Sequence, residues 1–153
     1  MQIELGPAPL PAPVLPAGFA FTAFEAARHA RPARDLLNAV YAPGGGDVMA
    51  FEEWWPAVEG DTEFDPALCL VLTETASGAL AGFAQCWNSG FVKDIGVRPG
   101  LRRLGLGRAL MAEVFRIFQA RGIGEVRLKV HADNPSGAPA FYRALGMRCV
   151  PRA

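Results

Sequence analysis

The spacing of apolar residues changes twice within residues 91–131, from alternation to helical spacing at Gly105 and back to alternation at Glu125. Alternation over 91–97 and 125–131 predicts strands, because successive side chains of a strand point to opposite faces of a sheet. Between them lies one apolar stripe of helical period, ended by Gly122. The stripe comprises Leu106, Leu110, Val114, Ile117 and Phe118. A strand, a helix and a strand in this order predict a right-handed crossover with two parallel strands.

An antiparallel meander is predicted before this crossover. Its strands are expected at residues 68–74, 79–87 and 91–97, joined by tight turns. Aromatic and Thr residues at 19–25 favour a further strand, and residues 26–41 favour a helix.

Three further elements complete the prediction. The sequence "FEEWWPAV" at 51–58 indicates a short helix that Pro56 interrupts or ends. Residues 136–145 favour a second helix after the crossover, and residues 147–150 begin a last strand. The predicted fold class is therefore α+β, a mixed α/β arrangement whose mostly antiparallel sheet is flanked by helices. We expect a proline-rich extended arm at 1–18 and one domain over 19–153.

Composition favours a globular chain. Of 153 residues, 51% are hydrophobic and 20% are charged, which is unlike a disordered segment. No window is long and apolar enough to span a membrane, and the pattern of a secretory signal is absent. Cys69, Cys86 and Cys149 lack metal-site spacing, so we expect free thiols, no bound metal and a cytoplasmic location.

Charge is distributed unevenly along the chain. Residues 35–92 contain nine acidic residues and no Lys or Arg. Because the net charge is zero, the remainder carries +9. This asymmetry is compatible with two solvated faces of opposite sign and with a functional polarity.

An anion site is predicted where the crossover helix begins. Arg98, Arg102, Arg103 and Arg108 lie within eleven residues that contain no acid. A helix N-terminus presents unpaired N–H groups, and a glycine there lets an anion approach the backbone. The residues "LRRLGLGRAL" at 101–110 provide a helix start with glycines at Gly105 and Gly107. The alternative is that these residues only begin the helix and bind no ligand.

Two better-known phosphate loops do not fit these residues. A dinucleotide-binding fingerprint needs a third glycine where Leu110 stands. A P-loop beginning at Gly100 needs a lysine where Leu106 stands.

Two longer segments, "DIGVRPGLRRLGLGRALM" and "NPSGAPAFYRALGM", resemble in order and spacing the GNAT superfamily of N-acetyltransferases. The resemblance covers about residues 68–150 closely and 19–58 more loosely. It implies an acyl-CoA-binding strand–helix–strand core, acetyl-CoA as co-substrate, and a V-shaped gap between the strands at 91–97 and 125–131.

The resemblance also assigns cofactor-binding residues. Backbone groups of Ile95, Gly96 and Val97 would bind the pantetheine arm. The loop around the pyrophosphate would comprise Arg102, Arg103, Leu104, Gly105, Leu106, Gly107 and Arg108. Asn134 matches an asparagine that contacts pantetheine or an ordered water, although its distance to Tyr142 is one residue longer than is usual.

Tyr142 matches the family's tyrosine that protonates the departing thiolate, a role that suits a phenol. The alternative is that this ring only packs the helix against the sheet. The general base is less defined: Asp94 is the carboxylate of the strand at 91–97, whereas Lys93 stands where many relatives have Glu. His131 is a weaker candidate.

The acidic segment contains the end of the first helix and the whole of the second, and these two helices form the acceptor side in this family. Trp54, Glu52 and Trp87 are expected to bind the acceptor, with Glu53 nearby. The leading hypothesis is direct acetyl transfer to an amine, in particular a cationic amine of a small molecule or peptide. A non-catalytic acyl-CoA-binding or sensing module is the alternative. Nucleic-acid and membrane partners are not expected, because no long basic face or spanning segment is present.

The C-terminal end departs from the family. Relatives usually continue with a hairpin after the last helix, whereas only "MRCVPRA" remains here. An uncovered strand edge favours aggregation, so the N-terminal arm or the partner in a homodimer is expected to cover it.

Overall fold

The computed structural model describes residues 1–44, 47–130 and 137–150. Its strands are β1 (Gln2–Glu4), β2 (Phe19–Thr22), β3 (Cys69–Glu74), β4 (Leu80–Trp87), β5 (Phe91–Val97) and β6 (Glu125–Leu128). Its α-helices are α1 (Ala26–Tyr41), α2 (Phe51–Glu59), α3 (Leu106–Ala120) and α4 (Ala138–Ala144). Short 3-10 turns span Ala42–Gly44 and Pro66–Leu68.

The strands form one six-stranded sheet in the order β1-β6-β5-β4-β3-β2. Four neighbouring pairs are antiparallel, and β5 pairs with β6 in parallel across the α3 crossover. The predicted mixed, mostly antiparallel sheet is thereby confirmed.

The N-terminal segment covers the outer edge of β6. Gln2 and Glu4 pair with Arg127 and Glu125, so β1 is an edge strand of the sheet. The Gln119 side chain of α3 holds the following proline-rich residues by bonding the carbonyls of residues 6 and 8 and the N–H of residue 10, at 2.7–2.8 Å. The sequence analysis expected either the N-terminal arm or a homodimer partner to cover this edge. In the described part of the chain, the N-terminal arm covers it. The division into an arm at 1–18 and a domain at 19–153 stays a prediction.

The predicted last strand at 147–150 does not form in the described residues. Arg148 makes only an isolated bridge to Gln2. The neighbouring edge of β6 is already occupied by β1, and the C-terminal segment meets this three-residue strand at the one bridge only.

Pro56 does not end α2, contrary to expectation, because the helix continues to Glu59. Proline removes one backbone donor in a helix. Pro56 lies on the exposed side of α2, so the missing backbone donor is at the surface. Trp54 and Val58 hold the opposite side of the helix in the core.

Each face of the sheet carries a hydrophobic core. On one face α3 and α4 cover Leu72 and Val126 with residues such as Leu110 and Phe118. On the other, α1 and α2 bury Leu37 and Trp54 against Val71 and Phe83. Full burial of each such aliphatic or aromatic side chain stabilises the fold by roughly 1.5–3 kcal/mol relative to exposure.

A β-bulge in β5 determines which side chains face which core. Gln85 and Cys86 are adjacent on β4, yet their partners Asp94 and Val92 are separated by Lys93. The additional residue reverses the alternation of side chains. Val92 therefore packs in the core beneath α3, whereas Asp94 faces α1 and α2.

Candidate functional site

The two parallel strands separate soon after they meet. Phe91 pairs with Arg127 and Val92 with Leu128, where β6 ends. β5 continues to Val97 beside β4 alone. We call the region beyond Val92 and Leu128 the strand gap. It corresponds to the V-shaped gap expected from the sequence.

The backbone of β5 presents polar groups to the strand gap. The Arg98 N–H donates to the Ala81 carbonyl of β4 at 2.8 Å. Because hydrogen-bonded pairs alternate along antiparallel strands, the backbone groups of Ile95 and Val97 point away from β4. The Ile95 N–H donates to the Tyr41 hydroxyl at 3.3 Å, which leaves Val97 as the next outward-pointing residue of the strand.

The segment that leads from the end of β5 into the first turn of α3, residues 101–108, is called the arginine–glycine loop. Its backbone has positive φ at Arg103 (70°) and at Gly105 (80°). The first backbone bond into α3 runs from the Ala109 N–H to the Gly105 carbonyl at 3.0 Å. The N–H groups of residues 106–108 therefore lie at the open start of the helix, where an anion can accept from them.

The arginines of this region differ in their surroundings. Arg102, Arg103 and Arg108 are exposed. Arg98 instead bonds the Leu80 carbonyl at 2.9 Å and the Glu74 carboxylate, so it braces the end of β5. Three guanidinium groups of the loop remain available to an anionic ligand.

The non-polar members of the loop have distinct surroundings. Leu106 is buried in the core and anchors the start of α3, whereas Leu104 is exposed. A Cβ at Gly107 would lie 3.4 Å from Phe141 and 3.8 Å from Val97. Gly107 therefore sits where α3, α4 and the end of β5 meet.

Asp94 is held by three donors on the other side of the gap. The Tyr41 hydroxyl donates to Oδ1 at 3.0 Å, and the Trp54 indole N–H donates to Oδ2 at 3.2 Å. The Lys93 ammonium lies 3.5 Å from Oδ2. Asp94 is 8% exposed, so a small polar group can still reach it.

Tyr41 was not predicted as a site residue. The approach of α1 to β5 at Gly96, where a Cβ would lie 3.1 Å from Val40, brings this end of the helix over the strand. Burial, followed by the nearby Asp94 carboxylate, raises the pKa of Tyr41 far above its ordinary value. The sequence shows only that Tyr41 ends an amphipathic helix. It does not show that the hydroxyl of this residue bonds Asp94.

Tyr142 lies on α4 with its side chain in the α3-side core. Burial raises its pKa to about 12, so its phenol is protonated at neutral pH. Tyr142 also contributes, as the smallest of the causes, to the raised pKa of Tyr41. Asn134 and His131 lie outside the described residues.

The residues expected to bind an acceptor are dispersed. Trp54 is buried and bonds Asp94, whereas Trp87 is half-buried at the end of β4. Glu52 is exposed; a bond from its own backbone N–H and the Arg31 guanidinium at 3.3 Å keep its pKa below the usual range. Glu53 is exposed beside it.

The two cysteines of the sheet, Cys69 and Cys86, are not activated as nucleophiles, because their thiols have raised pKa values. Burial raises the pKa of Cys69 to about 12 and that of Cys86 still further. Cys149 is exposed and also free. Among the residues described, no cluster of three or more potential metal ligands is found, and no helix has the length and apolar character of a membrane span.

A cleft of about 430 Å³ lies elsewhere, between β2, β3 and α3. Its lining includes Phe21, Phe24, Leu70, Glu113 and Ile117, and none of the predicted site residues. The candidate site is therefore the strand gap with its two flanks, and not this cleft.

Comparisons with known proteins show the family of the chain. A sequence model described as "Acetyltransferase (GNAT) family" matches residues 31–147. The mycothiol acetyltransferase of Beutenbergia cavernae is 36% identical over 98 residues, which cover 60% of this chain and 32% of that protein. The mycothiol acetyltransferase of Thermobispora bispora is 33% identical over 148 residues, covering 90% and 49%. The chain thus spans between about a third and a half of the length of these relatives.

A solved structure extends the similarity to the fold. The GCN5-related N-acetyltransferase from Sphaerobacter thermophilus superposes with a TM-score of 0.79 at 33% identity, covering 96% of this chain and 46% of that one. The predicted family, enzyme class and co-substrate are confirmed at the level of the family. This chain belongs to the acetyltransferase (GNAT) family, whose members are acyltransferases that use acetyl-CoA as co-substrate.

Proposed function

We propose that this chain transfers an acetyl group from acetyl-CoA directly to an amine while both substrates are bound. The observation that carries the proposal is the position of the arginine–glycine loop at the open start of α3, next to the strand gap and the protonated phenol of Tyr142. An anion-binding helix start, an open strand edge and a proton donor are the three components that this transfer needs.

The residues of the loop suit the pyrophosphate of acetyl-CoA. Backbone N–H groups at the start of α3 would donate hydrogen bonds to its oxygens, and Arg102, Arg103 and Arg108 would add charge-assisted bonds. The absence of a Cβ at Gly105 and Gly107 leaves the approach to this backbone open. Backbone groups of Val97 and Ile95 would bind the pantetheine arm, whereas those of Gly96 point toward Phe83 of β4 and not into the gap.

The residues around the gap then have separate roles. When bound, acetyl-CoA supplies an activated acetyl thioester. The Val97 N–H would polarise the carbonyl that the amine attacks, as an oxyanion site does. Tyr142 would donate its phenolic proton to the departing sulfur, and Asp94 would accept a proton from the amine directly or through a water. Because the chain holds both substrates in register, proximity supplies much of the rate.

A cationic acceptor is part of this proposal. Of the nine acidic residues between 35 and 92, Glu52, Asp65 and Glu74 pair with arginines outside that segment. Exposed acids such as Glu53 and Glu59 on α2 are not among these pairs. Their field would attract an ammonium group to the side of the gap where Asp94 lies.

The first test is binding of acetyl-CoA, measured by calorimetry. Arg108 is the third residue of α3, and Arg28 is the third residue of α1. Arg108→Glu is therefore matched by Arg28→Glu, the same charge reversal in the first turn of a helix far from the gap. We expect Arg108→Glu to weaken binding about tenfold or more and Arg28→Glu to bind as wild type does. Equal affinities for all three proteins would contradict the loop as the binding site.

The second test is release of free thiol with a panel of amines. Wild type should acetylate cationic amines faster than acidic amino acids. Tight binding with no thiol release for any amine would favour the non-catalytic binding module instead. Efficient acetylation of acidic amino acids alone would refute the cationic acceptor. The cytoplasmic location and the homodimer expected from the sequence stay predictions.

A further inference from the structure

Two opposite charges are buried on the face of the sheet that carries α1 and α2. Arg34 is 1% exposed, and Asp94 is 8% exposed. Within the described residues, the ion pairs of the chain do not include Arg34. Because an uncompensated buried charge is costly, the surroundings of this guanidinium need an explanation.

Aromatic rings separate the two charges. The Arg34 guanidinium lies 5.8 Å from the centroid of the Tyr41 ring and 5.3 Å from that of Trp54. A cation over a ring face is stabilised by the electrons of the ring. The same two rings carry the hydroxyl and the indole N–H that donate to Asp94. Arg34 therefore lies over two of the three donors of the carboxylate.

Arg34 is itself fixed by hydrogen bonds. Its Nε donates to the Asn38 side chain at 2.9 Å, and its Nη2 donates to the Asp47 carbonyl at 3.2 Å. Asn38 bonds the backbone of Met49 in both directions, at 2.8 and 3.0 Å. The guanidinium thus joins α1 to the segment that leads into α2, the two elements that supply the rings.

The donors leave a limited part of the Asp94 carboxylate open. A carboxylate offers about four acceptor positions, two on each oxygen. Trp54 and Lys93 approach Oδ2, and Tyr41 approaches Oδ1. The donors in the described part of the chain therefore leave one acceptor position, and it lies on Oδ1.

We propose that Arg34, Tyr41 and Trp54, here called the carboxylate frame, hold Asp94 still so that the remaining position on Oδ1 receives an N–H of the acceptor amine. This inference rests on the acetyl transfer proposed above and identifies how its acceptor is recognised. The three residues of the frame are positioning residues, whereas Asp94 is the group that contacts the substrate.

The frame also predicts the chemical class of the acceptor group. Asp94 is a stationary negative charge whose nearest exposed cation is Lys93 at 3.5 Å. An amine that enters as an ammonium ion replaces part of this interaction and gains a charge-assisted bond. A hydroxyl or thiol acceptor gains no such charge pairing. The frame therefore selects amines that are protonated in solution.

Tyr41→Phe is the principal test because it keeps the ring over Arg34 and removes only the hydroxyl. With the best amine of the panel, kcat/KM for the amine should fall about 10- to 100-fold, as expected when a reacting group is misplaced. The affinity for acetyl-CoA should change less than about twofold, because the arginine–glycine loop is unaltered. Trp54→Phe should act in the same direction, and its matched control Trp55→Phe, which removes an adjacent indole that does not bond Asp94, should retain wild-type kinetics.

A spectroscopic measurement separates positioning from packing. The indole N–H resonance of Trp54, assigned from Trp54→Phe, should shift in Tyr41→Phe and exchange faster with solvent, because the shared carboxylate has lost an anchor. Those of Trp55 and Trp87 should not shift.

The outcomes distinguish the two proposals. An inactive wild-type protein that still binds acetyl-CoA would overturn the proposed transfer. An active wild type with an equally active Tyr41→Phe, or an unchanged Trp54 resonance in that variant, would overturn the carboxylate frame alone.

Discussion

The arginine–glycine loop and the carboxylate frame flank the same strand gap, but they are built in opposite ways. The loop is one continuous segment, residues 101–108, whose glycines and arginines act where they stand in the sequence. The frame collects Arg34 and Tyr41 from α1 and Trp54 from α2 around Asp94 of β5. Local chemistry is visible in a sequence, whereas a site assembled by packing becomes visible only in three dimensions.

The two flanks also differ in the groups that they use. The loop offers backbone N–H groups and flexible exposed arginines, which bind an anion without enclosing it. The frame uses buried side chains, each fixed by at least one hydrogen bond or ring contact. The loop suits acetyl-CoA, the co-substrate that the whole family shares. The frame suits the acceptor, which differs between members of the family.

The largest expected effect comes from Tyr142, the proposed proton donor on α4. We predict that Tyr142→Phe lowers kcat about 100-fold or more, because a positioned proton donor contributes that much. Its pKa of about 12 means that wild-type activity should show no loss from ionisation of this phenol up to pH 9. Steady-state kinetics from pH 6 to pH 9 measure both quantities.

Calorimetry with acetyl-CoA is the control for Tyr142→Phe. The variant should bind the co-substrate as wild type does, because neither flank has changed. A kcat within about threefold of wild type would show that this ring only packs α4 against the sheet.

A smaller effect should confirm that the loop acts independently of the frame. Arg103 is the single non-glycine residue with positive φ in the described chain, at 70°. A side chain in this conformation costs about 1 kcal/mol, so Arg103→Gly should raise the free energy of unfolding by up to about 1 kcal/mol. The lost charge should weaken acetyl-CoA binding about five- to tenfold. Urea unfolding and calorimetry test these two changes.

Arg102→Gly is the matched control for Arg103→Gly, since it removes the same charge from a neighbouring residue of ordinary φ. It should weaken binding similarly but lower the stability, because glycine adds freedom to the unfolded chain without relieving strain. Equal stability changes in the two variants would remove the argument that strain is stored at Arg103 for binding.

The sequence predicted the elements better than the contacts between them. Helix α1 and strand β5 have the predicted bounds, since both are delimited by clear changes of pattern. The strand expected at 147–150 was wrong for the described residues, because whether a segment pairs depends on which edge is free. That edge belongs to β1, about 145 positions away in the chain.

The same limit applies to the candidate site. Arg102, Arg103 and Arg108 are exposed at the start of α3, as a motif of adjacent residues allows one to expect. Trp54 was expected to face an acceptor, yet its indole is buried against Asp94. The bulge at Lys93 and the close packing at Gly96 bring these residues together, and neither leaves a pattern in the sequence.

The smallest effect concerns the start of α1, the helix that carries the frame. His29 is buried, and its Nδ1 accepts the Glu25 N–H at 2.9 Å, which only the neutral ring can do. Burial is the main cause that lowers its pKa from 6.5; Glu25 opposes this shift and Arg28 adds to it. The unfolded chain therefore binds a proton before the folded one as pH falls. Stability from this group is complete above pH 6.5 and decreases below it.

We predict that acid loosens the frame before it affects the loop. Between pH 7.5 and 5.5, urea unfolding should show a larger loss of stability for wild type than for His29→Asn, which keeps an acceptor for the Glu25 N–H but does not titrate. Amide hydrogen exchange at pH 5.5, corrected for the intrinsic effect of pH, should increase in the first turns of α1 and remain unchanged in α3. Equal pH dependence of wild type and His29→Asn would mean that this histidine does not couple α1 to pH. Faster exchange in both helices would mean that the loop and the frame unfold as one unit. The loop is built from adjacent residues and the frame from distant ones, but the two would then not differ in stability.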